Sequence, residues 1–253
     1  MNDIVYDPYL IPGSDTLRNL LHATEQYELR MMESELSNAR MIEFFDGGPK
    51  VEPTMHGVQA IHRQLFQDVY DWAGQLRTIN IGKDESLFLP VEFFARGIEH
   101  FERTLRDDDF LKGLDRDRFI ERLAVNFDNL NVLHPFREGN GRTQRVFWSV
   151  IARDAGWDIQ WSRISAQENI QASAQALVHA DYEPLKAMFA RCVTHPDPSG
   201  LASYALPHDL GEPFEGAHCA TNPDDEAKRR YLLRYDFPDS SRAAKIDGPG
   251  IGL

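Results

Sequence analysis

The chain has 253 residues, a formal net charge of −13 and 42% hydrophobic residues. That size suits one good-sized domain with an appendage, and the acidic balance argues against direct nucleic-acid or anionic-membrane binding, which needs a basic footprint. Cys192 and Cys219 are too few for a disulfide framework. With no apolar run of spanning length and no basic-then-apolar leader, the chain is expected to be soluble and cytoplasmic, unless it is translocated into another cell.

Residues 1–13 read as an irregular lead-in punctuated by Pro8, Pro12 and Gly13. Ser14 or Asp15 can cap a helix that begins with Thr16, Leu17 and Leu20. A longer helical pattern covers 25–45, with Leu29, Met32, Leu36 and Ile42 on one stripe, and Asp46-Gly47-Gly48-Pro49 ends it. Residues 1–50 are thus expected to be an N-terminal helical segment packed on a core of residues 51–195. Within that core, Val58, Ile61, Leu65, Val69 and Trp72 keep helical spacing over 54–73.

The pattern changes at 75–90. Leu76, Thr78, Ile79 and Ile81 have strand composition, residues 82–86 read as a turn, and Leu87-Phe88-Leu89 form the return strand. From composition this hairpin is either a plain connector or a working part. A helix follows over 91–105, with Phe93, Phe94, Ile98 and Phe101 apolar. Asp107-Asp108-Asp109 caps or solvates a turn, because consecutive residues face different ways. Asp115 is the expected cap of the next helix, which carries Leu123, Phe127, Leu130 and Leu133 at three- to four-residue spacing. Residues 156–162 bridge to two more helices over 166–179 and 182–193. The remaining residues, 196–253, hold seven of the fourteen prolines and show helical period only over 224–235. They are expected to be a tail, partly ordered at most, that either packs on the core or binds a partner.

The densest chemistry lies at residues 134–145, HPFREGNGRTQR. Pro135 biases His134 away from helical dihedrals and ends the preceding helix. Val146, Phe147, Val150 and Ile151 then start another. Between them, Gly139 and Gly141 let the backbone turn tightly and bring N–H groups to a ligand. With the unpaired amides of the next helix, those groups form an anion site. Arg142 and Arg145 share one face of that first turn and can add bidentate phosphate contacts. Glu138, next to the nest, would repel phosphate unless Mg²⁺ lies between them. His134 is placed to accept a proton from an attacking hydroxyl. Taken singly, each feature has a plainer structural reading; their conjunction within twelve residues is what points to phosphate chemistry. Neither a Walker A loop nor a GxGxxG loop is present, and no second histidine falls at a metal-hydrolase spacing such as HExxH.

This stretch resembles the Fic signature HxFx[D/E]GNGRxxR at every fixed position. The resemblance implies an all-α helical bundle with one short β-hairpin, the flap, over the active-site loop. It implies transfer of AMP from ATP to a Tyr, Thr or Ser hydroxyl of a target protein, with pyrophosphate released. His134 would be the catalytic base, Gly139, Asn140, Gly141, Arg142 and Arg145 would bind ATP, Asn140 by an amide bond to the α-phosphate, and Glu138 would hold Mg²⁺. The hairpin matches the flap, where Ile79, Asn80, Ile81 and Gly82 would register the target by strand addition. Gly141, where phosphorylating Doc-type relatives carry Lys, favours AMP transfer over phosphoryl transfer. Residues 9–19 (YLIPGSDTLRN) resemble the start of family members whose inhibitor is a separate small protein. The inhibitory pattern [ST]xxxE[GN] has no full match here; Thr24 to Glu28 comes nearest but is followed by Leu29. A small antitoxin carrying that pattern is therefore the expected partner, in a toxin–antitoxin pair or as a check on a translocated effector. The alternative is a helical interaction module that binds nucleotide without turnover.

Overall fold

The computed structural model describes residues 6–83, 86–196 and 218–220. The chain divides into two compact units, Met1–Thr221 and Asn222–Leu253. The second, with the helical period at 224–235, lies outside the described residues. A short strand at 218–219, past the expected boundary at 195/196, belongs to the first unit.

That unit is built from α1 (Gln26–Phe45), α2 (Met55–Phe66), α3 (Phe94–Asp107), α4 (Arg116–Leu133), α5 (Asn140–Asp154), α6 (Ala166–His179) and α7 (Glu183–Cys192). Helix α4 runs through its centre, packed by α3, α5, α6 and α7. Its Phe119, Leu123, Ala124, Leu130 and Val132 are fully enclosed, each large side chain contributing roughly 1.5–3 kcal/mol of apolar burial. Around it, Phe127 meets Phe189 edge-on at 5.4 Å, and Phe101 lies 5.9 Å from Phe147. Asp115 caps α4 through Arg118 N, as expected, and Thr54 and Ser165 cap α2 and α6. The acidic run supplies an internal partner: Asp108 accepts from Arg122 and Asn126.

Among the described residues, five short strands accompany the helices. Strands β1 (Ile81–Lys83) and β2 (Ser86–Leu87) form a hairpin, antiparallel with Gly82 opposite Leu87. It is as expected in kind but not in bounds: residues 75–80 form no strand, and Gly82, Lys83 and Ser86, expected in the turn, lie in the strands. Strand β3 (Asp158–Ile159) pairs with β4 (Val193–Thr194). Strand β5 (His218–Cys219) adds to the other edge of β1, giving the order β2-β1-β5.

Two expectations about residues 1–50 are corrected. No helix forms at 16–24; the segment is irregular. There Asn19 bonds the carbonyls of Leu17 and Ala23 and accepts from Ala23 N, while Ser14 accepts from Thr16 N. Such short polar side chains compete with the helical ladder for backbone groups. Helix α1 does form, but its buried face is Leu29, Glu33, Ser37, Met41 and Phe44, and Ile42 from the expected stripe is 66% exposed. Apolar periodicity misses this face because two of its five members are polar and bind an arginine of α5.

Candidate active site

The loop at 134–139 is bent by two left-handed residues. His134 closes α4 at φ 40°, and Gly139 starts α5 at φ 80°. A Cβ on Gly139 would overlap the Phe66 ring, so the position requires glycine both for its conformation and for space. Asn140 locks the bend from inside: Phe136 N donates to its Oδ1 at 2.9 Å, and its Nδ2 donates to Phe136 O at 2.8 Å. The side chain expected on the α-phosphate is thus first a clasp of the loop. Beyond it, the amides of Asn140, Gly141 and Arg142 precede the first intrahelical bond of α5, Thr143 N to Gly139 O, at the end of the helix whose dipole suits an anion. Gly141 is exposed, and a Cβ placed on it would have no neighbour within 4 Å.

His134 is half-buried, and its imidazole stacks on Phe88 from the return side of the hairpin, centroids 3.6 Å apart and planes 12° apart. The protein packed around the ring, with Arg77 and Lys83 nearby, pushes its pKa down to about 3 against an upward pull from the Asn131 carbonyl. The ring is therefore neutral at physiological pH and able to take a proton. Arg77, which sequence reasoning passed over, joins the hairpin to this histidine. Its guanidinium donates to the carbonyls of His134 (2.9 Å), Ile79 (2.6 Å), Leu89 (2.6 Å) and Leu133 (3.3 Å), and its own N–H donates to Pro135 O. Its side chain is 2% exposed and lies over the Phe94 ring. In the same hairpin Asn80 Oδ1 accepts from Val91 N, and Ile81 is fully buried.

Glu138 borders the anion site. Its Oε1 accepts from Gly139 N at 2.8 Å, so one nest amide is held by the carboxylate. The Glu138 carbonyl is bound by His62 Nε2 at 2.9 Å, while His62 Nδ1 accepts from Gly74 N. A backbone N–H can only donate, so Nδ1 is the acceptor and Nε2 carries the proton. Burial pushes the His62 pKa down to about 3, and the ring stacks on Phe136 at 3.8 Å. Nothing in the spacing of α2 distinguishes this histidine from a surface one. Among the described residues no group of three or more His, Cys, Asp or Glu converges to hold a metal. Glu138 alone suits an ion that takes its other oxygens from phosphates and water, the usual habit of Mg²⁺.

Arg142 and Arg145 were expected to face the phosphates together. Instead, the Arg142 guanidinium is ion-paired with Glu33 of α1, donates to Ser37 Oγ at 2.8 Å and lies over the Phe66 ring. Glu33 also accepts from the Tyr70 hydroxyl at 2.8 Å. Burial works to lower the Arg142 pKa, but Glu33 and Glu138 outweigh it and the net shift is upward. Burial raises the Glu33 pKa, with Arg142 opposing. Arg145, one turn on, is half-buried. The lead-in also braces the site: Asp7 pairs with Arg137 of the loop at 2.9 Å, and the Tyr9 hydroxyl accepts from Thr78 N. A helical bundle with this loop under a short hairpin is the architecture of a Fic domain.

Comparison with known proteins agrees. Residues 53–152 match the family model described as Fic/DOC family. The chain is 36% identical over 188 residues to "Probable protein adenylyltransferase Fic" of Escherichia coli (strain K12), covering 74% of this chain and 92% of that one. It is 35% identical to "Protein adenylyltransferase VbhT" of Bartonella schoenbuchensis, over 74% of this chain and 39% of that longer protein. Among solved structures, the ADP-bound N-terminal Fic domain of a VirB-translocated Bep effector protein from Bartonella quintana superposes with a TM-score of 0.69. That pair is 27% identical and covers 76% of this chain and 97% of that chain. The chain belongs to the Fic/DOC family. No helix among the described residues is long and apolar enough to cross a membrane.

Proposed function

We propose that this chain transfers AMP from ATP to a Tyr, Thr or Ser hydroxyl of a target protein. The observation that carries the reading is the loop at 134–145, which joins His134, its ring neutral at physiological pH, to the N-terminal end of α5. The naming of its relatives as protein adenylyltransferases supports it. The amides of Asn140, Gly141 and Arg142 receive the phosphates, with Arg145 on the same face. The second Nδ2 hydrogen of Asn140 serves the α-phosphate as charge builds there. Glu138 would hold Mg²⁺, which when bound would offset the charge of the phosphates. The target hydroxyl oxygen attacks the α-phosphorus; His134 takes its proton, the bond from the α-phosphorus to the bridging oxygen breaks, and pyrophosphate leaves with that electron pair. Ile79 to Gly82 align the target by strand pairing.

With Glu28 exposed in the first turn of α1 and Glu33 paired with Arg142, restraint is assigned on this reading to a separate small antitoxin. Its [ST]xxxE[GN] helix would pair with Arg145 and compete with the γ-phosphate. Activity of the purified chain without any partner is expected on this reading.

A silent nucleotide-binding module is the competing reading, favoured by the commitment of Arg142 and Asn140 to protein partners. Incubation with cell lysate and ATP labelled at the α- or the γ-phosphate separates these. Label in protein from the α-position only is expected. Label from the γ-position would mean phosphoryl transfer, and ATP binding with no label in protein would leave the silent module.

A further inference from the structure

The outer edge of β1 is already occupied by the chain itself. Residues 218–220 lie antiparallel to it, with Ile81 opposite Cys219, Gly82 opposite His218, and Ala220 N donating to Asn80 O at 2.9 Å. Strand β2 covers the other edge. Thus the backbone groups of Asn80 to Gly82 available for pairing with a second polypeptide are those held by 218–220. The same hairpin carries Phe88 against His134 and is fastened to the His134 carbonyl through Arg77. Occupancy of this edge is therefore occupancy of the approach to the base.

We infer that residues 218–220 are a built-in competitor for the target: a strap on the target-docking edge that an incoming extended segment must displace, pairing antiparallel in the same register. This rests on the reading of the hairpin as the target-docking flap. Two physical features suit a displaceable strap. The pairing spans three residues, too few to be stable alone, and His218 is exposed while Cys219 and Ala220 are only half-buried. Its membership of the same chain nevertheless gives it an effective concentration on the order of mM at the edge. A target with weak strand affinity is excluded, and one that pairs along more of the flap wins. The strap thus selects targets that present a long, extended segment.

The register supplies the test. Because Asn80 and Ala220 are a hydrogen-bonded pair, Ile81 and Cys219 form the neighbouring non-hydrogen-bonded pair, with Cα atoms expected about 4.5 Å apart and side chains on one face. That spacing admits a disulfide. Full-length Ile81→Cys can therefore be locked by oxidation through the native Cys219 and released by reductant, while Cys192 is fully buried and out of reach. In the lysate assay with α-labelled ATP, oxidised Ile81→Cys should label targets about tenfold or more below the same sample reduced, with ATP affinity equal in both states. Ala220→Pro, which removes the donor to Asn80, should raise labelling about fivefold, the factor carried by one net hydrogen bond. Equal labelling by oxidised and reduced Ile81→Cys, with the disulfide verified by mass, overturns the strap and leaves the transferase reading intact. An Ala220→Pro rate equal to wild type does the same. If wild type, reduced Ile81→Cys and Ala220→Pro all fail to label protein, the transferase reading falls and the strap with it.

Discussion

Glu33→Gln tests the least expected contact of the site. The substitution keeps the side-chain volume but removes the charge that faces Arg142. Losing one partner of a buried ion pair typically costs about 3–5 kcal/mol, because the other charge is left uncompensated. Here the Glu33 side chain is 6% exposed and that of Arg142 22%. Arg142 can recover some hydration and keeps Ser37, which places the cost at the low end, about 3 kcal/mol. For a domain of this size, each kcal/mol lowers Tm by about 2–4 °C, so a fall of about 6–12 °C is expected in thermal unfolding followed by circular dichroism. Arg142→Met combined with Glu33→Gln should cost less than the sum of the two single changes, since the charges depend on each other. A Tm within about 1 °C of wild type, or strict additivity in that cycle, would refute the pairing.

Four further outcomes are expected. His62, fully enclosed and held near a pKa of 3, refuses a proton that the unfolded ring accepts below 6.5. Its stability contribution is complete above pH 6.5 and is lost as pH falls towards 3, at about 1.4 kcal/mol per pH unit, with half-buried His134 adding less. Urea midpoints that stay level between pH 7 and pH 5 would contradict this. Gly139→Ala should lower stability by roughly 2 kcal/mol or more, from the left-handed backbone and the Phe66 contact, whereas Gly141→Lys should fold normally and lose AMP transfer. Equal denaturation midpoints for Gly139→Ala and wild type, or full AMP transfer by Gly141→Lys, would count against the loop geometry. Glu138→Gln should shift the Mg²⁺ titration of labelling to higher concentration, and an unmoved titration curve would remove the carboxylate from the metal.

The helices were legible from apolar period, as in α4 with its Asp115 cap and in α5, although α2 ends at Phe66 rather than at 73. The hairpin was legible as a change of composition, but its strands begin only at Ile81, after Thr78 and Ile79. Family membership could be read from residues 134–145 because every fixed position of the Fic signature is present there. What stayed hidden were contacts between residues far apart in the chain. Glu33 and Ser37 sit on the buried face of α1 only because Arg142 arrives from α5. Arg77 and His62 act through backbone carbonyls, which carry no side-chain signature in any sequence. The failed helix at 16–24 shows a local conflict, with Ser14 and Asn19 offering the backbone closer partners than a helical turn would. The strand at 218–219 is too short to show a period, and its partner lies more than a hundred residues earlier.

The proposed chemistry depends most on His134 acting as the proton acceptor. The direct measurement is single-turnover labelling of target protein by wild type and His134→Ala with α-labelled ATP, with ATP affinity measured on the same samples. Near-equal ATP affinity is predicted, with a loss of transfer on the order of 10²–10⁴-fold and no inflection near pH 6.5 in the wild-type rate, since the ring is already neutral there. Transfer by His134→Ala at the wild-type rate, with binding intact, would contradict it.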